Sequence, residues 1–127
     1  MSAIEALALA HAERVLVSLA GDFIRYQSHG EAPPRVLAAL KAEKPRIVAL
    51  LRRYALDENG ALVGDDLLVR LAKLGFRVRR YGDQAALDDE TGQGRVPPRL
   101  LLYEFADHQR EYGAVLCALR AVDKYER

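Results

Sequence analysis

The apolar positions of this chain change their period along its length, and each change marks an element. From Ile4 to Ala12 the residues are mostly Ala and Leu, good helix formers, with Ile4, Leu7 and either Ala8 or His11 returning to one face. Ser2 followed by Glu5 fits the capping box that opens such a helix. Arg14-Val15-Leu16-Val17-Ser18-Leu19 is then β-branched and aliphatic, Gly21-Asp22 is a turn pair, and Phe23-Ile24-Arg25-Tyr26-Gln27 resumes as an extended run. This predicts a β-hairpin. Pro33 and Pro34 suit the first turn of a helix, where a missing N–H costs nothing, and this helix is expected to reach Glu43. Pro45 inside a helix would remove a hydrogen bond, so a third helix is expected to start there and run to Tyr54. Asp57-Glu58-Asn59-Gly60 reads as a turn or linker.

The same order then recurs. Gly64 or Asp65 can cap a helix carrying Leu67, Leu68, Leu71 and Leu74, and Gly75 ends it. Phe76-Arg77-Val78-Arg79-Arg80-Tyr81 alternates apolar and basic, the period of a strand with one wet face. Gly82-Asp83 repeats the turn pair, and Ala85, Ala86 and Leu87 can form the return strand. After the loop Thr91-Gly92-Gln93-Gly94, Pro97-Pro98-Arg99 repeats Pro33-Pro34-Arg35. A helix to Ala106 and a last helix from Asp107 to Val122 are expected, with Arg120 matching Arg52. The length differences amount to a few loop residues and about one helical turn, which a helix absorbs without turning its apolar face far. We therefore read an α+β fold: a tandem duplication of a small α-β-β-α-α unit. Residues 1–55 form the first unit, residues 56–63 a linker, and residues 64–127 a diverged second unit. A unit this small is near the lower limit for a stable core, so the two are expected to pack as one pseudo-twofold body.

Composition narrows the class. Of 127 residues half are hydrophobic and 29% charged, which is globular, and a formal net charge of +1 gives no global bias toward nucleic acid. The one cysteine, Cys117, sits in an apolar run and is expected in the core; it excludes an internal disulfide. The first residues lack a basic region, and no apolar run is long enough to span a membrane, so a cytoplasmic protein without a membrane partner is expected. His11, His29 and His108 lack metal-ligand spacing, and Gly92-Gln93-Gly94 lacks the context of a nucleotide loop. No enzyme, cofactor or metal is expected.

The stretch RVLVSLAGDFIRYQSHGEAPPRVLAALKAEKPRIVALLRR resembles the TubC-type N-terminal docking domains of nonribosomal peptide synthetases over residues 7–52. Gly21-Asp22, Ile24, Tyr26, Gly30, Pro34, Leu37, Leu40, Lys44 and Leu50-Leu51-Arg52 carry the likeness. Arg14 stands where the family usually has Gly before the first strand; Gly75 restores it in the second unit, residues 64–122, whose return strand lacks the aromatic. The resemblance implies protein–protein docking: homodimeric domains that receive a short segment of a partner on the hairpin.

A hairpin edge offers unpaired N–H and C=O groups to an extended peptide. With Ile24 and Tyr26 expected to face inward, Phe23, Arg25 and Gln27 would face outward as an anchor, a charge and a polar contact. In the second hairpin Arg77, Arg79 and Arg80 precede Asp88, Asp89 and Glu90. These charges either face each other or leave a basic stripe, extended by Arg95 and Arg99, for an acidic tail or a phosphate backbone. The expected function is non-catalytic docking of a protein segment at the hairpin edges. The alternative is an accessory nucleic-acid-binding protein of a mobile-element or replication system.

Overall fold

The computed structural model describes residues 1–125, with side chains through Leu119; the Arg120 side chain and residues 126–127 of the expected second unit lie outside the described residues. The fold is α+β, with helices, short antiparallel hairpins and no mixed sheet among the described residues. Its contacts divide into two compact units. One is Met1–Arg52 together with the chain from Cys117, and the other is Arg53–Leu116.

In the first unit, α1 (Ala3–Ala12) is capped by Ser2, whose hydroxyl accepts the Glu5 N–H at 3.1 Å. β1 (Leu16–Ala20) and β2 (Phe23–Gln27) form a hairpin around Gly21-Asp22, with Val17 opposite Tyr26 and Ser18 opposite Arg25. α2 (Pro34–Ala42) starts on Pro33, and α3 (Lys44–Arg53) carries Pro45 in its first turn. The boundary between them follows from the proline, whose missing N–H is harmless only there. Leu7, Val15, Val17, Val36, Leu40, Ile47, Leu50 and Leu51 are among the unit's buried apolar positions.

Between α1 and β1 the chain must reverse, and Arg14 does so at φ +59°, the one non-glycine residue at positive φ among those described. An L residue in the left-handed region costs roughly 1–2 kcal/mol, part of which glycine returns as unfolded-state entropy. Arg14→Gly is therefore expected to stabilise the protein by about 0.5–1 kcal/mol, read as a rise in urea midpoint with an unchanged m-value. Gly75, the aligned residue after the fourth helix, takes φ +89°.

In the second unit, residues 56–63, expected as a linker, carry strand structure and group with Arg53–Leu116. β3 (Ala55–Leu56) and β4 (Leu62–Val63) pair around the 57–60 turn. The Asp57 carboxylate holds that turn by accepting the N–H groups of Asn59 and Ala61, which a turn reading of the sequence sees, while the two flanking residue pairs are too short to signal strands. α4 (Asp66–Lys73) is capped by Asp65, whose Oδ1 accepts the Leu68 N–H at 2.9 Å. β5 (Phe76–Tyr81) and β6 (Gln84–Asp89) form the third hairpin, longer than the Ala85–Leu87 core of the expected strand.

The largest departure is α5 (Arg99–Tyr125), one helix where two were expected. Asp107 is exposed within it and caps nothing, and no proline plays the part that Pro45 plays in the first unit. The helix passes through Gly113, where an added Cβ would come within 3.5 Å of the backbone at Ala85 and Asp83, so the small residue serves close packing and not a break. Cys117, expected in the core, is half-buried, its Sγ 4.0 Å from His11 Nε2.

Candidate docking hairpins

The register of each hairpin settles which residues share a face and which backbone groups are free. Residues that flank a two-residue turn exchange hydrogen bonds, and bonded and non-bonded pairs alternate from there. In the first hairpin Ala20 and Phe23 flank the turn, so Ser18 with Arg25 and Leu16 with Gln27 are the bonded pairs. The N–H and C=O groups of Ile24 and Tyr26 then point away from β1, along an edge that no other strand covers among the described residues.

Phe23, Arg25 and Gln27 lie on one face of β2 and are all exposed, as expected. Phe23 is 67% exposed, and the Lys44 ammonium stands 5.2 Å from its ring centroid. Tyr26, expected inward, is 52% exposed. It shares a face with Val17, which is buried, but burial falls away from β1 to β2 because α1 packs on the β1 side. The hairpin tip is tethered instead by Arg52, which donates to the Gly21 carbonyl at 3.0 Å and pairs with Asp22. β2 thus presents two large aromatic side chains and Arg25, with a free backbone edge, on a strand held at its end. Arg25 has no ion-pair partner among the described residues.

The second hairpin is arranged differently. Arg77, Arg79 and Arg80 do not form one stripe, because neighbouring residues of a strand face opposite sides. Arg77 and Arg79 share the outer face, while Arg80 points to the other and donates to the Gly82 carbonyl. Arg79 bonds Asp88 at 2.9 Å and Glu90 at 2.8 Å, and Arg77 approaches Glu90 at 3.6 Å. The bonds to Glu90 and then Asp88 hold the Arg79 guanidinium firmly cationic. Tyr81 donates to Asp88 at 2.8 Å, which pushes its phenol pKa up. The charges of this face are consumed across the hairpin.

Arg95, grouped with that stripe in the sequence, is a staple. Its guanidinium and backbone N–H bond Asp89, its Nη2 donates to the Leu74 carbonyl at 3.0 Å, and it lies 5.0 Å from the Phe76 ring centroid. Thr91 donates its N–H and hydroxyl to the same carboxylate. The Arg95 bond above all holds the Asp89 carboxyl well below the usual carboxylate range. A depressed folded pKa adds stability above the unfolded value, near 4, and loses it as pH falls toward the folded value. Asp89→Ala should therefore melt well below the parent at pH 7, and the gap should narrow steadily in melts taken below pH about 4. Arg99 is exposed and makes no ion pair among the described residues.

A buried polar cluster in this unit escaped the sequence reading. Tyr54 and Tyr112, 5% and 0% exposed, donate to Asp65 Oδ2 at 3.0 and 2.8 Å, with Glu111 3.3 Å from the Tyr54 hydroxyl. Burial first, and the neighbouring carboxylates after it, push both phenol pKa values far up, so neither ionises in use. The capping position of Asp65 was legible; its second bond to two distant tyrosines was not.

Among the described residues no group of three or more His, Cys, Asp or Glu could hold a metal ion, and no helix is long and apolar enough to cross a membrane. No family model, curated protein or solved structure matches the chain.

Proposed function

We propose that this protein is a non-catalytic docking module that binds a segment of a partner protein at the open edge of β2. The observation that carries the reading is the exposure of Phe23 and Tyr26 on either face of a strand whose edge is free and whose Arg25 makes no ion pair among the described residues. Exposed aromatic anchors beside an arginine are the residues on which binding energy concentrates, and the edge supplies main-chain hydrogen bonds of fixed geometry. The resemblance of residues 7–52 to TubC-type docking domains supports the same conclusion. The internal pairing of Arg77 and Arg79 weighs against the nucleic-acid alternative, since a phosphate backbone would have to displace Asp88 and Glu90.

Calorimetric titration of the partner segment tests this. Phe23→Ala should weaken binding by about thirtyfold, the loss of an anchor worth roughly 2 kcal/mol. Arg80→Glu, a charge change in the other unit, should leave it within about twofold. Equal losses from both variants would place the contact elsewhere.

A further inference from the structure

A groove of about 360 Å³ opens in the second unit between α4, β4 and β5. Its lining is mostly carbon. Leu62, Leu68, Phe76 and Val78 form a floor of nearly fully buried residues, while Val63 and Val69 stand at the rim, 41% and 49% exposed. An aliphatic cavity of about 150 Å³ holds one benzene, so this volume has room for roughly ten carbons of a chain lying along an open trough. Apolar walls with a few placed polar groups are the make-up of small-molecule sites.

Phe76 and Val78 are 3% and 1% exposed, backbone and side chain together, so β5 offers no edge here to a peptide strand. An occupant of the trough must be held by its carbon through contact, and by any polar group through the side chains at the rim.

Those side chains choose the polar group. The charged residues of the lining are Lys73, Arg77 and Asp57. Lys73 is exposed and makes no ion pair among the described residues. Arg77 stands 3.6 Å from Glu90, outside hydrogen-bond distance, and keeps donors to spare. Asp57 accepts the N–H groups of Asn59 and Ala61, which commits its carboxylate to its own turn. The uncompensated charge at the rim is therefore positive, and it rests on Lys73. An uncharged chain would leave that ammonium unanswered, and an aliphatic amine would meet like charge. We infer that this groove binds a free aliphatic carboxylate of about eight to twelve carbons, its chain in the trough and its carboxylate on Lys73, with Arg77 as a second donor. The site uses no residue of β2 and does not rest on the docking reading.

Titration of the full chain with monomeric decanoate, followed by amide resonances, tests this. Decanoate should bind saturably and shift Val63, Val69, Ala72 and Lys73. Octanoate should bind more weakly, by about fourfold for each methylene removed, the worth of a buried methylene. Decanol should bind about fivefold more weakly than decanoate, and decyltrimethylammonium more weakly still. Lys73→Glu, at an exposed position, should weaken decanoate about tenfold by replacing an attraction with a repulsion, and should leave decanol unchanged. Ala72→Phe should fill the trough and abolish binding of both, with unchanged far-UV circular dichroism; if that variant unfolds, the Lys73→Glu comparison decides alone. Absence of saturable shifts, shifts centred outside the groove, equal binding of decanoate and decanol, or indifference to Lys73→Glu would each overturn the inference. Binding to anionic phospholipid vesicles without binding to monomeric decanoate would overturn it too, in favour of a lipid surface.

Discussion

Asp65→Ala should destabilise the protein by about 3–5 kcal/mol, a drop in melting temperature on the order of 10–20 °C for a chain of this size. Three donors depend on this side chain: the Leu68 N–H at Oδ1, and the hydroxyls of Tyr54 and Tyr112 at Oδ2. Loss of the cap costs about 1 kcal/mol. Each buried hydroxyl left without its acceptor costs a further 1–3 kcal/mol, roughly, and Glu111 lies near enough to relieve only Tyr54. The cost should be non-additive. In a Tyr112→Phe background the same substitution should cost about 1–2 kcal/mol less, because the phenol it would orphan is gone. Additivity of the two substitutions, measured by denaturant unfolding of all four proteins, would show that the cluster does not act as a unit.

Gly64→Ala should cost about 2–4 kcal/mol, the range expected when backbone strain and overpacking combine. Gly64 holds φ at +145°, and a Cβ there would clash with the Arg53 carbonyl oxygen and fall 2.9 Å from the Tyr54 Cα. Those atoms are backbone, and Tyr54 is fixed by its bond to Asp65, so neither can give way cheaply. The chain would have to move where β4 hands over to α4, beside the apolar trough. Gly64→Ala should therefore also broaden or shift the amide resonances of Val63 and Leu68. A melting temperature within a degree or two of the parent would mean that the close approach is not maintained in solution.

How much of this was legible in the sequence follows from what each residue type can signal alone. The β1–β2 and β5–β6 hairpins were readable from Gly21-Asp22 and Gly82-Asp83, and the α2–α3 boundary from Pro45, because these residues act through their own backbone. The single helix α5 was not. The Pro97-Pro98-Arg99 echo of Pro33-Pro34-Arg35 invited a second break, but a helix breaks where a residue forbids it, and no residue from Ala106 to Val122 does. On β2 the exposure of Phe23, Arg25 and Gln27 was legible, while Tyr26 lies on the expected face but is not covered there, because alternation gives the face and not what covers it. Arg77, Arg79 and Arg80 were grouped by adjacency, while the strand separates Arg80 from the other two and the register delivers Asp88 and Glu90 to Arg79. The trough beside β5 had no sequence signal, since its walls come from three elements that only tertiary structure brings together.

The measurement that tests docking most directly is affinity capture of partners by the full chain from native lysate, with and without nuclease, beside the Phe23→Ala variant. Docking at β2 predicts a protein that is retained after nuclease and lost or strongly reduced on the variant. Recovery of nucleic acid instead, abolished by nuclease and unaffected by Phe23→Ala, would contradict it.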